Sequence, residues 1–225
     1  MKKAINANPE VNRELVDKFV AMKDVLSISC VVGDAQERNY VMHSSIKIRT
    51  ADRAFIGTAL TVRLTPGYLV DPLDIFKVVN PGDVVVIDAL GESETSIWGG
   101  LMSGLAMKAG IVGAVIDGSQ RDTDESRLIG LPVASRSVSP RASHSAYTGS
   151  FESIEVNGVV SCGGVTVKPG DLIVGDEIGI CVVPSESMEA VYPLAREQAD
   201  KEEATRQLIA QGYTVDELLE KFGRI

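Results

Sequence analysis

Two apolar, β-branched runs constrain this chain more than any other feature. Val84–Asp88 and Val112–Ile116 flank a helix-like stretch, Leu101–Ala109, which stops at Gly110. Runs of this composition suit strands buried on both faces of a sheet, and Gly110 can end the helix in the left-handed conformation. Strand, helix and strand within about thirty residues describe a βαβ unit with a right-handed crossover. That unit places the chain in the α/β class. Asp117-Gly118-Ser119-Gln120 leaves the second strand at its C-terminal end, where open α/β sheets hold their ligands.

The rest of the chain is read around this unit. Residues 9–23 suggest a first helix, with Asn8 as cap, Pro9 in the first turn, and Val11, Leu15, Phe19 and Met22 on one face. Ser27–Val32 is a short β-prone run. Residues 38–53 are mixed and polar and predict no particular element. Ala54–Leu64 reads as one long strand or a strand pair, with Gly57 as a bulge, and Pro66-Gly67 as a turn. Asp71–Val79 predicts a short helix capped by Asp71, and residues 89–97 a loop. Thr123–Leu128 predicts another helix, stopped by Gly130, and Pro132–Val138 another strand. Ser139–Ser150 is a polar loop. Ile154–Val160, Val165–Val167, Leu172–Val174 and Ile180–Val183 suggest a small β-rich layer. Ser185–Gln211 and Asp216–Phe222 predict two terminal helices. Nothing resembling a linker interrupts residues 1–225, so one domain is expected, with the terminal helices packed on it.

Composition narrows the function. The formal net charge of −9 argues against a nucleic-acid partner held by a basic stripe. No apolar run approaches the length of a membrane span, and no apolar segment follows Lys2-Lys3 as in a secretory signal. Cys30, Cys162 and Cys181 are odd in number and far apart, so they suggest neither a disulfide framework nor a metal pattern but thiols in a reducing cytoplasm. His43 and His144 stand alone in polar sequence.

The stretch from Gly91 to Glu125 carries the chemistry. Gly99-Gly100 open a helix, where the N–H groups of Gly99, Gly100, Leu101 and Met102 can meet a carboxylate or phosphate. Arg121-Asp122 ends the following strand. Arginine binds carboxylates in bidentate fashion, and Asp122 suits Mg²⁺ or Mn²⁺, with Asp124 and Glu125 placed to hold the cation's waters. Each pair also has a structural explanation, as a tight Gly-Gly turn and as an acidic turn with Asp122 capping the next helix. Their position at the two ends of one βαβ step lets them share a crevice. An anion site, a guanidinium and a hard cation together suit a small 2-oxo acid, whose enolate they stabilise when a C–C bond breaks. Lys108, on the helix body, is the only lysine of the stretch, so a Schiff-base route finds no residue here.

The residues from Trp98-Gly99-Gly100-Leu101 through Asp117-Gly118 to Arg121-Asp122 resemble the RraA-like family, which includes metal-dependent 4-hydroxy-4-methyl-2-oxoglutarate aldolases and the regulator of ribonuclease activity A. Gly57-Thr58-Ala59, Pro81-Gly82-Asp83, Gly163-Gly164-Val165, Pro169-Gly170-Asp171 and Val182-Val183-Pro184 are similar to further family landmarks, so the resemblance runs from about Val25 onward. It implies a layered β/β/α sandwich of the swivelling phosphohistidine-domain type. Gly100, twenty residues, Arg121-Asp122 and then Glu125 resemble the metal-binding aldolase form; the regulator form lacks that acid. The Gly form often carries a second acid at the next position, where this chain has Ser126. The resemblance implies that the backbone at Gly99, Gly100, Leu101 and Met102 binds the pyruvoyl carboxylate. It gives Arg121 the 2-oxo group and Asp122, with Glu125, the divalent metal. It further implies a homotrimer or hexamer with the site between subunits, and a neighbour's acid near the metal waters, Glu203 in preference to Glu202. The implied activity is pyruvate release from a 4-hydroxy-2-oxo diacid, with oxaloacetate decarboxylation beside it; the alternative is a regulator that docks on a ribonuclease without catalysis.

Overall fold

The computed structural model describes residues 3–51, 53–65, 72–142 and 154–223. The expected turn at Pro66-Gly67, the cap at Asp71 and His144 lie outside them. In chain order the elements are β1 (Ala4–Ile5), α1 (Arg13–Val20), α2 (Ile28–Ala35), β2 (Lys47–Ile48), β3 (Phe55–Leu64) and a 3₁₀ helix (Pro72–Lys77). Then come β4 (Asp83–Trp98), α3 (Gly100–Lys108), β5 (Gly113–Gln120), α4 (Thr123–Ile129) and β6 (Val133–Val138). The last third holds β7 (Ile154–Val156), β8 (Val160–Cys162), β9 (Val165–Val167), β10 (Leu172–Gly175), β11 (Ile180–Val183), α5 (Met188–Ala210) and α6 (Val215–Phe222).

The main sheet runs β1-β7-β3-β4-β5-β6-β2. Its centre, β3 to β6, is parallel, as the βαβ reading requires. The free edge of β3 is shared: β10 pairs with Phe55–Thr58 and β7 with Val62–Leu64, both antiparallel. One sheet face packs on α3 and the 3₁₀ helix through Val85, Ile87, Ala114 and Ile116. The other meets the β8–β9 hairpin through Val84, Val86 and Val115. Beyond β10 and β11 lies a helical layer of α1, α2 and α5, built on Phe19, Val31, Val32, Val191 and Ala195. The result is the layered α/β architecture that the alternating elements imply.

Several local expectations are corrected. Ser27–Val32 is not a strand but the start of α2. Its β-branched residues lie at helical spacing with their apolar side buried, and Asp176 accepts both Ser29 N (2.9 Å) and Ser29 Oγ (2.7 Å) at its opening turn. The first helix is capped by Asn12, which accepts Leu15 N, rather than by Asn8. Gly57 is no bulge: it pairs in regular register with Ile173 of β10, and a Cβ would stand 2.2 Å from the Gly82 carbonyl, so the glycine serves close strand approach. The loop expected at 89–97 is a bulged continuation of β4, pairing Glu92 with Gly118, Ser96 with Ser119 and Trp98 with Gln120. Two of its carbonyls are held by serines at the end of β6, Ser137 Oγ on Ser93 O and Ser139 Oγ on Glu94 O. For the same reason Asp117–Gln120 does not leave β5 but extends it.

Candidate active site

Two helix starts meet at the C-terminal ends of β4 and β5. Arg121 N donates to Trp98 O at 2.9 Å, which fixes the strand exits side by side. From one exit Gly99, with extended backbone, opens α3 without a side-chain cap. From the other, Asp122 occupies the N-cap position of α4 in the left-handed region, φ +51°, a conformation uncommon for a non-glycine residue. Its side chain makes no capping bond to its own helix. It crosses instead to α3 and accepts Gly100 N at 3.2 Å, while Arg121 Nε lies 3.4 Å from the same oxygen.

The glycines let these side chains come close to the α3 backbone. A Cβ on Gly99 would fall 2.6 Å from Asp122 Oδ2, and one on Gly100 2.0 Å from Glu125 Oε2. Gly99, Gly100, Arg121, Asp122 and Glu125 therefore share one crevice. The Arg121 and Asp122 side chains are 44% and 40% exposed, so the crevice is open to a ligand. Leu101 is exposed and Met102 half-buried against the core. Among the described residues, the Leu101 and Met102 N–H groups have no acceptor, as befits the orphan donors of a helix start.

Carboxylate oxygens at Asp122 and Glu125 are hard donors that match Mg²⁺ or Mn²⁺. Among the described residues no three acidic, histidine or cysteine side chains converge on a point, so the chain offers such an ion few direct ligands and leaves room for the waters that Mg²⁺ retains. Glu202 and Glu203 are not brought here within the chain. They lie on α5, whose buried residues belong to the α1–α2 layer. There both contact Arg206, at 2.7 and 3.4 Å.

A buried polar chain behind the crevice was not foreseen in the sequence. Trp98 Nε1 donates to Ser103 Oγ at 2.9 Å, and Ser103 Oγ lies 2.8 Å from Ser126 Oγ; all three residues are buried. The one hint is a serine on the inner face of an otherwise apolar helix. A second set, also unforeseen, lies on the opposite sheet face. Arg63, Asp88, Asp117 and Arg136 stand on β3, β4, β5 and β6, with Arg63 opposite Asp88 and Asp88 opposite Asp117 in register. Arg136 Nε donates to Asp117 Oδ1 at 2.6 Å, and Gly163 N donates to Asp117 Oδ2 at 2.8 Å. Cys162 beside it is wholly buried, which pushes its thiol pKa well up.

An α/β sandwich with this crevice defines a class, and comparison with known proteins places it. The RraA-like family model, described as Aldolase/RraA, matches residues 16–182. The chain belongs to the RraA-like family. A relative from Halalkalibacterium halodurans, provisionally named 4-hydroxy-4-methyl-2-oxoglutarate aldolase, is 33% identical over 90% of this chain and 94% of its own length. An uncharacterised protein from Pseudomonas syringae pv. tomato has a similar structure, with a TM-score of 0.78 and 25% identity over 93% of this chain and 98% of that one. Streptomyces coelicolor RraAS2, described as an unusual member of the RNase ES inhibitor RraA family, follows with a TM-score of 0.71 and 25% identity, covering 88% and 99%.

Proposed function

We propose that this chain is a divalent-cation-dependent carbon–carbon lyase that releases pyruvate from a 4-hydroxy-2-oxo diacid of the 4-hydroxy-4-methyl-2-oxoglutarate type, with oxaloacetate decarboxylation as a second activity. The observation that carries the reading is the crevice itself: helix-start amides, one guanidinium and two carboxylates brought together where Gly99 and Gly100 leave room for them. The 33% identical relative provisionally named as an aldolase supports it.

In this reading the amides of Gly99, Gly100, Leu101 and Met102 take the 1-carboxylate of the substrate. Arg121 holds the 2-oxo oxygen and its developing negative charge. Asp122, with Glu125 beside it, would hold Mg²⁺ or Mn²⁺, and the ion would supply Lewis-acid stabilisation of that same charge. The C4 hydroxyl loses its proton, the C3–C4 bond breaks, and its electron pair moves into the pyruvoyl fragment, which takes a proton at C3 to leave as pyruvate. The other fragment leaves with a new carbonyl at C4. The chain acts as a homotrimer or hexamer of single-domain subunits, in which Glu203 of the α5 helix of a neighbour completes the acidic set. This assignment suits its exposed place on α5, which packs in a different layer from the crevice.

The alternative is a regulator that docks on a ribonuclease, favoured by the likeness to RraAS2 and by the exposed Leu101, Leu105 and Leu128 on α3 and α4. Pyruvate release separates the two. The lyase gives pyruvate with Mg²⁺ or Mn²⁺ and stops with chelator; absence of turnover on any 4-hydroxy-2-oxo acid, together with a stoichiometric ribonuclease complex, overturns it.

A further inference from the structure

The Trp98–Ser103–Ser126 chain lies one helical turn behind the crevice on both sides. Ser103 N and Ser103 Oγ reach Gly99 O at 3.0 and 3.2 Å, so Ser103 sits one turn along α3 from the glycine pair. Ser126 N reaches Asp122 O at 3.0 Å, so Ser126 sits one turn along α4 from Asp122. The 2.8 Å contact between the two hydroxyls joins the helices at matching depth. One proton arrangement satisfies every donor: Trp98 N–H and Ser126 O–H to Ser103 Oγ, and Ser103 O–H to Gly99 O. Side chains in such a network are fully desolvated, where hydrogen bonds are strong and an unpaired group is costly.

From this we infer that Ser126, acting through Ser103, is a positioning residue that sets the separation between the α3 amides and the α4 carboxylates. Resting on the lyase reading, the inference gives a role to the one position where the chain departs from the family's second acid. Ser126 is buried and does not face the crevice, so it is not a lost ion ligand. A ligand that bridges the amides and the ion feels the spacing of α3 and α4, whereas the ion alone feels only α4. Reactive geometry tolerates errors of well under about an ångström, so the link acts on the bridged state.

The test compares wild type, Ser126→Ala, Ser103→Ala and the double variant. Mn²⁺ binding is followed by electron paramagnetic resonance. Oxalate, a planar mimic of the pyruvate enolate, is titrated into the Mn²⁺-loaded protein, and the emission of Trp98 is recorded throughout. In each single variant the Mn²⁺ dissociation constant is expected to stay within about twofold, while oxalate binding and kcat each fall about tenfold or more. The double variant is expected to lose no more than the worse single one, because both remove the same link. Ser103→Ala shifts the Trp98 emission. Should either Ser variant keep wild-type oxalate affinity and kcat, whatever its melting temperature, the inference is overturned; additive losses in the double variant overturn it as well. A wild-type protein that binds neither Mn²⁺ nor oxalate sinks the reading of the site itself and the inference with it, a result distinct from the other two. If Ser126→Ala does not fold, Ser103→Ala breaks the same link from α3 and carries the comparison alone.

Discussion

Two arginine–aspartate pairs stand along the same parallel sheet, one within β5 and β6 and one just past the end of β5, and they are built differently. Arg136 and Asp117 face the hairpin side. Arg136 Nε and Nη2 both meet Asp117 Oδ1, at 2.6 and 2.5 Å, the Asp117 side chain is 10% exposed, and its second oxygen takes Gly163 N. Both carboxylate oxygens are occupied, and Arg136 Nη1 is spent on Ser45 Oγ at 3.0 Å. Arg121 and Asp122 face the α3–α4 side, come no nearer than 3.4 Å and are about two-fifths exposed. The guanidinium keeps most of its donors, and Asp122 spends an oxygen on a helix-start amide that a substrate carboxylate can take over. Residue types do not distinguish the pairs; burial and saturation do.

The comparison can be broken most severely at Asp117. Asp117→Ala leaves Arg136 half-buried without its partner and orphans Gly163 N, which costs about 3–5 kcal/mol in an unfolding titration. Arg121→Ala, removing an exposed contact, changes stability by less than about 1 kcal/mol. Equal stability losses would erase the distinction. A second contrast lies in two glycines. At Gly57 an added Cβ meets the Gly82 backbone carbonyl at 2.2 Å and Val112 and Val84 at 2.9 and 3.0 Å, none of which can retreat cheaply. Gly57→Ala is therefore expected to cost about 1–3 kcal/mol. At Gly100 the obstacle is the tip of Glu125, which can swing away. Gly100→Ala thus melts nearly as wild type but loses ligand affinity. A further expected effect is an alkaline one, which builds up gradually with pH. Burial first, and then Asp176, push the Cys181 thiol from an ordinary value near 9.0 to about 12. Between those values the folded chain keeps a proton that the unfolded chain has lost, so stability falls as pH rises through the window, by about 1 kcal/mol per unit from this thiol. Cys181→Ala should flatten that slope by the same amount in melts at rising pH.

Those contrasts also explain what the sequence could disclose. The βαβ unit was legible because Val84–Ile87 and Val112–Ile116 are apolar on both faces and Gly110 marks the helix stop, all local signals. The α2 helix was not, because Ile28, Val31 and Val32 fit strand propensity and helix spacing alike; the decision comes from Asp176, about 147 residues away along the chain. The extension of β4 through residues 89–97 was hidden for the same reason, two of its carbonyls being satisfied by Ser137 and Ser139 at the end of β6. At the site, Gly99-Gly100, Arg121-Asp122 and Glu125 could be picked out by type and spacing, and the structure sets them in one crevice. Glu203 could be named only through resemblance, and within one chain it lies in another layer. Ser126 drew notice only as a missing acid, since its partners Trp98 and Ser103 are joined to it by packing and not by any sequence pattern. Asp88 and Asp117 looked like strand-end residues; their pairing with Arg63 and Arg136 depends on sheet register.

The central claim is that the Arg121 side of the sheet, and not the Arg136 side, does chemistry. Initial rates of pyruvate release from 4-hydroxy-4-methyl-2-oxoglutarate with Mg²⁺, measured on wild type and Arg121→Ala beside their melting curves, test it most directly. The account predicts unchanged melting and a loss in kcat/KM of about 10²–10³-fold. Full activity in the Arg121→Ala protein would contradict it.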